Sequence, residues 1–306
     1  MKKVQVLLST YNGELYLQEQ LDSLMNQIDI DLNILVRDDG SRDNTIRILE
    51  NYAQKYNNIK VIRGENIGVV ASFFELLRDA DTDADYFAFC DQDDFWREEK
   101  LIAAVKKLEE HKDQYMPLLY CSKTRVVDEK LNFLSFSKEP KRSLKLENAL
   151  VENMATGCTV VINKKCRQEI ICKEINYKNI IMHDWWIYMI ALLQGKVVYD
   201  ANSYIDYRQH SSNVVGIGNG IYHQYLRKLK HFMNGKNKGL LKKQAQELYE
   251  LYQKELTGEQ LEIISSFCNE RKSILSKINF ILKNRFYRQS KIDSFFFYIL
   301  VFIGRV

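Results

Sequence analysis

Prolines are scarce, two in 306 residues, and with thirteen glycines the chain has neither the composition of a low-complexity linker nor that of a fibre. A disulfide framework is missing as well. Six cysteines, Cys90, Cys121, Cys158, Cys166, Cys172 and Cys268, form no CxxC pair, and several sit in apolar runs where a thiol packs as a small hydrophobe. That usage suits a reducing cytoplasm. No apolar run reaches the ~20 residues of a membrane span. Met1-Lys2-Lys3 has the charge of a signal-peptide start, but the apolar run behind it is broken at Gln5 and over by Ser9. The expectation is a chain that is neither secreted nor carried across a bilayer on a conventional helix.

What is present is a large apolar inventory, 46% of residues, enough for one sizeable core or a catalytic domain with an appendage. The net charge of +4 is unevenly spread. Residues 221–306 carry 16 Lys and Arg against 7 Asp and Glu, whereas residues 1–220 carry 28 against 33. The basic end reads as helical and finishes in the aromatic run Phe295-Phe296-Phe297-Tyr298. It has no nucleic-acid-binding motif, and its basic residues come with long apolar runs, so nucleic acid is not the expected partner.

The first 110 residues alternate strand and helix patterns. Val4-Gln5-Val6-Leu7-Leu8 runs into the turn formers Ser9-Thr10-Tyr11-Asn12-Gly13, after which Leu17, Leu21, Leu24, Met25 and Ile28 recur at helical spacing. Residues 32–37 form a second strand closing on Asp38-Asp39-Gly40-Ser41. Ser41 or Asp43 can cap the next helix, whose apolar face is Ile46, Leu49, Ala53 and Tyr56. A third strand over 59–62, a helix over 69–77, a fourth strand over 86–90 and a helix through Leu101, Val105 and Leu108 follow. Beyond residue 115, strands over 118–127, 157–162 and 197–199 and a helix over 184–193 read as the acceptor half of the same domain. Such alternation implies a mostly parallel sheet built by right-handed crossovers, with ligands held at the carboxyl ends of its strands.

Three polar loops fall at those ends: residues 9–12, 38–41 and 91–94. The third, Cys90-Asp91-Gln92-Asp93-Asp94-Phe95-Trp96, places three carboxylates within four residues. Crowded carboxylates stay ionised only with a positive neighbour, and hard oxygen ligands of this kind suit Mg²⁺ or Mn²⁺, which also take substrate phosphates. An acidic turn capping the next helix is the plainer alternative, and the convergence of three loops on one edge outweighs it.

The ordered set Ser9-Thr10-Tyr11-Asn12, Asp38-Asp39-Gly40-Ser41, Asp91-Gln92-Asp93-Asp94, His183-Asp184 and Tyr207-Arg208-Gln209-His210 resembles glycosyltransferase family 2, over about residues 3–215. Its wording, with Trp96 after the acidic loop and Trp185 after His183-Asp184, is most similar to the bacterial polysaccharide rhamnosyltransferase branch. The resemblance implies an α/β GT-A fold: a Rossmann-like nucleotide-binding half, a mostly parallel central sheet flanked by helices, and a C-terminal helical extension. With the change in charge and pattern near residue 221, the chain divides into a catalytic domain over 1–220, which the resemblance covers, and a basic helical region over 221–306, to which it assigns no residue. The implied activity is inverting, metal-dependent transfer of a hexose, L-rhamnose from dTDP-rhamnose as the first choice, to a cell-surface polysaccharide intermediate. UDP-glucose or UDP-galactose is the alternative donor. A nucleotidyltransferase or a non-catalytic nucleotide-sugar-binding module is the alternative of another class, although residues 9–13 are not the Gly-rich basic loop of the former.

The resemblance also assigns residues. Thr10, Tyr11, Asn12, Asp39, Asp91 and Arg208 would bind the donor nucleotide, with Asp39 accepting from the imide N–H of uracil or thymine. Asp93 and His210 would hold Mn²⁺ or Mg²⁺. Asp184 would be the general base, and Asp94, Gly157, His183 and Trp185 would support the metal or line the acceptor side. Trp185 and Trp186 point about 100° apart on a helix, so at most one of them can face a sugar. The expected partners are a dTDP- or UDP-sugar and a lipid-linked saccharide. The basic end would touch an anionic membrane surface at the cytoplasmic face, form a homodimer contact or pack as a terminal helix.

Overall fold

Val4, Val6, Leu7 and Leu8 are wholly buried, so both faces of β1 (Lys3–Thr10) are covered, which marks a central parallel strand. The computed structural model describes residues 1–111, 115–210, 239–283 and 285–305. β1 pairs in parallel with β2 (Asp31–Asp38) on one side and β4 (Tyr86–Cys90) on the other, and β3 (Ile59–Arg63) extends the sheet beyond β2. Past β4 comes β9 (Val161–Asn163), antiparallel to both β4 and β6 (Leu118–Ser122); β10 (Lys196–Asp200) ends the sheet parallel to β6. The order is β10-β6-β9-β4-β1-β2-β3, with β9 alone reversed. A smaller sheet follows the order β5-β11-β7-β8, from β5 (Phe95–Trp96), β11 (Ile205–Arg208), β7 (Arg125–Val127) and β8 (Phe133–Phe136).

The helices between these strands are amphipathic. Leu17, Leu21 and Leu24 of α1 (Leu17–Met25) are fully buried against the sheet's core. α2 (Thr45–Lys55), α3 (Val69–Asp79), α4 (Lys100–Glu109), α6 (Lys164–Ile171) and α7 (His183–Gln194) complete this set. The mostly parallel α/β architecture is therefore the one expected. Four local details differ. α1 stops at Met25, and Ile28 is 40% exposed. Residues 118–127 split at Lys123, whose N–H donates to Asp200 O, so β6 and β7 enter different sheets. Residues 157–159 form a 3-10 turn ahead of the short β9. Of the two capping candidates for α2, Asp43 accepts from Thr45 N at 3.0 Å, while Ser41 donates to Asp38.

These strands and helices make up one compact unit, Met1–Glu139 with Ala155–Lys173 and Met182–His210. The other unit is Pro140–Met154, Glu174–Ile181 and Ser211–Val306; the boundary expected at residue 220 lies outside the described residues. It contains α5 (Leu146–Ala149), α8 (Leu240–Tyr252), α9 (Gly258–Cys268), α10 (Ile274–Lys283) and α11 (Lys291–Phe302). Leu248, Tyr252, Ile264, Phe267 and Phe286 form its core. Thr257 and Gln260 close a reciprocal capping box at the start of α9. Gln289 ties residues 140–154 in, accepting from Lys141 N and Arg142 N and donating to Asn148 Oδ1. Among the described residues no helix is long and apolar enough to cross a membrane.

Candidate active site

The three polar loops meet at the carboxyl edge of β1, β2 and β4. Thr10 Oγ1 donates to Asp38 Oδ1 at 3.1 Å, and Asp38 also accepts from Gly40 N and Ser41 N. Asn12 sits in the left-handed region at φ +49°, which Asn tolerates well, and accepts from Arg42 N. Gln92 clamps the first loop to the third: its Oε1 accepts from Tyr11 N at 2.8 Å and its Nε2 donates to Tyr11 O at 3.1 Å. Asp39 is buried beside Arg37, with Ile67 N on Oδ1 and Gly68 N on Oδ2. A carboxylate has about four acceptor positions, so Oδ2 keeps one.

Asp91, Asp93 and Asp94 have different surroundings. Burial pushes the Asp91 carboxyl up to about 7, with repulsion from Asp93 and Asp184 adding to it. Asp94 is fully buried beside the Cys158 thiol, and burial together with Asp93 and Asp91 holds it well above the usual carboxylate range. Asp93 Oδ2 lies 2.8 Å from Nε2 of His210, whose ring is 5.0 Å from that of Tyr16. Beneath the loop, Lys100 Nζ sits 3.3 Å from the centre of the Trp96 ring, and burial lowers this lysine to about 8.

Arg208 is 1% exposed. Its Nε donates to Asp93 O at 2.8 Å, its terminal nitrogens donate to Glu129 O and Glu19 Oε2, and its own N–H reaches Asp94 Oδ1. The structure thus sets Arg208 against the protein side of the acidic loop, where it braces the loop. His183 belongs to the core: its ring stacks on Phe73 at 3.9 Å, and burial lowers its pKa to about 3, which keeps it neutral. Asp184 opens α7, where the helix dipole favours a carboxylate, and accepts from Trp185 N at 2.6 Å. Trp185 is half-buried and Trp186 wholly buried, so only the former can present a face. Gly157 leaves room at this point, since a Cβ there would stand 3.2 Å from His183 Nε2 and 3.4 Å from Asp184 Oδ2.

Asp91, Asp93, His210 and Asp184 thus come together, whereas His183 and Arg208 lie behind them. Gln92, Arg37, Glu19, Lys100 and Cys158 have no role assigned by the sequence motifs. Arg37 had a signal, because residues i and i+2 of a strand share a face. Glu19 and Lys100 had none. Asp93 and His210 offer a carboxylate and an imidazole, donors that suit Mn²⁺; the three ligand atoms that lie within 4.8 Å of one another among the described residues are those of Asp91, Asp94 and Cys158. Cis ligands at ~2.1 Å in an octahedron lie ~3 Å apart, close to the Asp93–His210 separation of 2.8 Å, and a cation there would offset the burial, and the lesser repulsion from Asp93 and Asp184, that together raise the Asp91 carboxyl.

Residues 5–170, more than half of the chain, match the family model for glycosyl transferase family 2, and the chain belongs to that family. It is a glycosyltransferase of GT-A fold, which sets aside the nucleotidyltransferase alternative. The chain is 32% identical to the dTDP-rhamnosyl transferase RfbG of Shigella flexneri over 218 residues, 68% of this chain and 73% of that protein. It is 25% identical to the cholesterol galactosyltransferase of Borreliella burgdorferi over 213 residues, 66% of this chain and 58% of that protein's length. Among solved structures it is similar to S. aureus TarS 1-349 in complex with UDP, with a TM-score of 0.57 at 19% identity, covering 99% of this chain and 90% of that one. It is also similar to the mannosyltransferase PcManGT of Pyrobaculum calidifontis in complex with GDP-Man and Mn²⁺, with a TM-score of 0.53 at 15% identity, covering 98% and 86%. At these identities the structural likeness is one of fold.

Proposed function

We propose that this glycosyltransferase moves L-rhamnose, with inversion, from dTDP-rhamnose to a lipid-linked saccharide at the cytoplasmic face of the cell membrane. The observation that carries the chemistry is the meeting of Asp91, Asp93, His210 and Asp184 at one sheet edge. The donor sugar rests on the identity to the Shigella rhamnosyl transferase. In this reading the remaining acceptor position of Asp39 takes the imide N–H of the base, and residues 10–12 shape the nucleotide pocket. Asp91 faces the ribose, and Asp93 and His210 hold Mn²⁺ or Mg²⁺. The bound ion supplies electrostatic and Lewis-acid stabilisation of the departing diphosphate. Asp184 takes the proton from the acceptor hydroxyl as its oxygen attacks the anomeric carbon and the C–O bond to the diphosphate breaks. Trp185 offers a flat face to a sugar, and Gly157 keeps the approach open. A second donor reading, UDP-galactose or UDP-glucose, has the galactosyltransferase relative on its side.

A melting-temperature panel of UDP, dTDP, GDP and CMP, each with and without Mn²⁺, tests the donor site. A ligand at 100 times its Kd adds ~2.7 kcal/mol of stability. Mn²⁺-dependent stabilisation by dTDP above UDP, lost in Asp93→Ala, is expected. A UDP preference moves the donor to the second reading, and no response to any nucleotide overturns both. Asp184→Asn should keep the nucleotide shift while cutting transfer at least ~10²-fold; near-normal transfer removes Asp184 as the base.

A further inference from the structure

α10 has no buried residue, and its Ile274, Leu275, Ile278 and Leu282 are 65%, 78%, 39% and 77% exposed. α11 buries Phe297, Leu300 and Val301 but leaves Ile292, Phe295, Ile299 and Phe302 at 57%, 64%, 39% and 47% exposure. At about 100° per residue, each set occupies an arc of no more than about 100° on its helix. The helices lie side by side and antiparallel: Lys277 Nζ donates to Phe302 O at 2.9 Å, and the Phe280 and Tyr298 rings are 6.5 Å apart. Residues 271–305 carry eight basic residues and one acidic residue, Asp293, which is buried. Lys272 and Arg285 pair with Glu270 and Glu262, while Lys283 and Lys291 are exposed at the helix ends beside the apolar stripes.

We propose that α10 and α11 dock on an anionic phospholipid bilayer, with Leu275 and Phe295 among the inserted side chains and Lys283 and Lys291 at the headgroups. Apolar stripes flanked by cations, with no acidic residue exposed among them, are the pattern of helices that lie in a bilayer surface. At ~1.5 Å per residue, the 12 residues of α11 span ~18 Å, too short for a ~30 Å hydrocarbon core, so the helix lies in the surface and does not cross it. A second copy of this chain fits less well, because a two-fold contact sets a surface against itself and would press basic residues together. The inference extends the reading of the acceptor as lipid-linked by naming the surface that meets the lipid.

The test is co-sedimentation of the full chain with vesicles of phosphatidylcholine alone and with about one third phosphatidylglycerol. Binding should be at least ~10-fold stronger to the anionic vesicles and weaken as salt rises above ~0.15 M. The double variant Leu275→Glu/Phe295→Glu, and separately Lys283→Glu/Lys291→Glu, should each lose ~10-fold or more. Both should keep the Mn²⁺-dependent nucleotide shift, which shows that the donor site stays intact. Equal binding to both vesicle types, or variants that bind like the parent, overturns the proposal. A concentration-dependent dimer by light scattering that disappears in Leu275→Glu/Phe295→Glu also overturns it and gives the surface to a second copy. Vesicle binding without any nucleotide response would leave this inference standing and remove the donor reading.

Discussion

In the proposed reading, Asp91 makes cation binding depend on pH. A carboxyl raised to about 7 in the folded chain, against ~3.9 unfolded, binds its proton more tightly when folded. In the metal-free protein its contribution to stability is therefore present at low pH and lost as pH rises from about 4 to about 7. Binding a cation displaces that proton, so Mn²⁺ affinity should fall up to ~tenfold per pH unit below about pH 7. Calorimetric titration with Mn²⁺ between about pH 5 and pH 8 measures the slope, and Asp91→Asn should flatten it. An unchanged slope in the variant would assign the proton to another group. His183 works in the opposite sense: lowered to about 3 by burial, it destabilises the fold only as pH falls below about 6.5. The acidic loop, Asp39 and Asp184 could be read from sequence because each lies in a short motif beside a turn. The partners that set their character could not. Glu19 and Arg208 pair although 189 positions separate them along the chain, and no local pattern records such a pairing.

Two glycines separate packing from chemistry at the level of elements. Gly195 joins α7 to β10, and a Cβ there would stand 1.8 Å from Pro117 O, the carbonyl that accepts from Lys196 N. That backbone cannot move without opening the β6–β10 pairing, so Gly195→Ala should cost about 3 kcal/mol in a urea melt, the top of the usual overpacking range. Gly157→Ala meets only side chains, at 3.2 and 3.4 Å, and should cost less than ~1 kcal/mol while lowering transfer by displacing Asp184. Equal stability losses for the two would mean that Gly157 serves packing alone. The long elements were legible because central parallel strands are continuous apolar runs and the helices carry a clear period. The smaller sheet was not, because strands of two to four residues such as β5 and β8 are too short to show alternation. The break of residues 118–127 is invisible locally, since Asp200 O, which takes the Lys123 N–H, comes from the far end of the unit.

Across the whole molecule, thiol accessibility reports whether both units are folded. Cys90, Cys121, Cys158 and Cys166 are buried, Cys268 is half-buried and Cys172 is exposed. A thiol reagent should label Cys172 first and Cys268 more slowly in the native protein, and all six only in denaturant; rapid native labelling of Cys158 would contradict the closed packing beside Asp94. The charge asymmetry and the aromatic end are plain in the sequence. The interleaving of residues 140–154 and 174–181 with the C-terminal helices was not, because it depends on single side chains such as Gln289. The reversed strand β9 bears on synthesis. β4 and β6 leave the ribosome before the strand that stands between them, so the β4 edge, Tyr86–Cys90, waits with unpaired N–H and C=O groups until residues 161–163 arrive. An open apolar edge invites pairing with another chain. The aggregation hazard of this enzyme is therefore set in time, by how soon one three-residue strand is made, and a chain stalled or cut before residue 161 keeps that edge open.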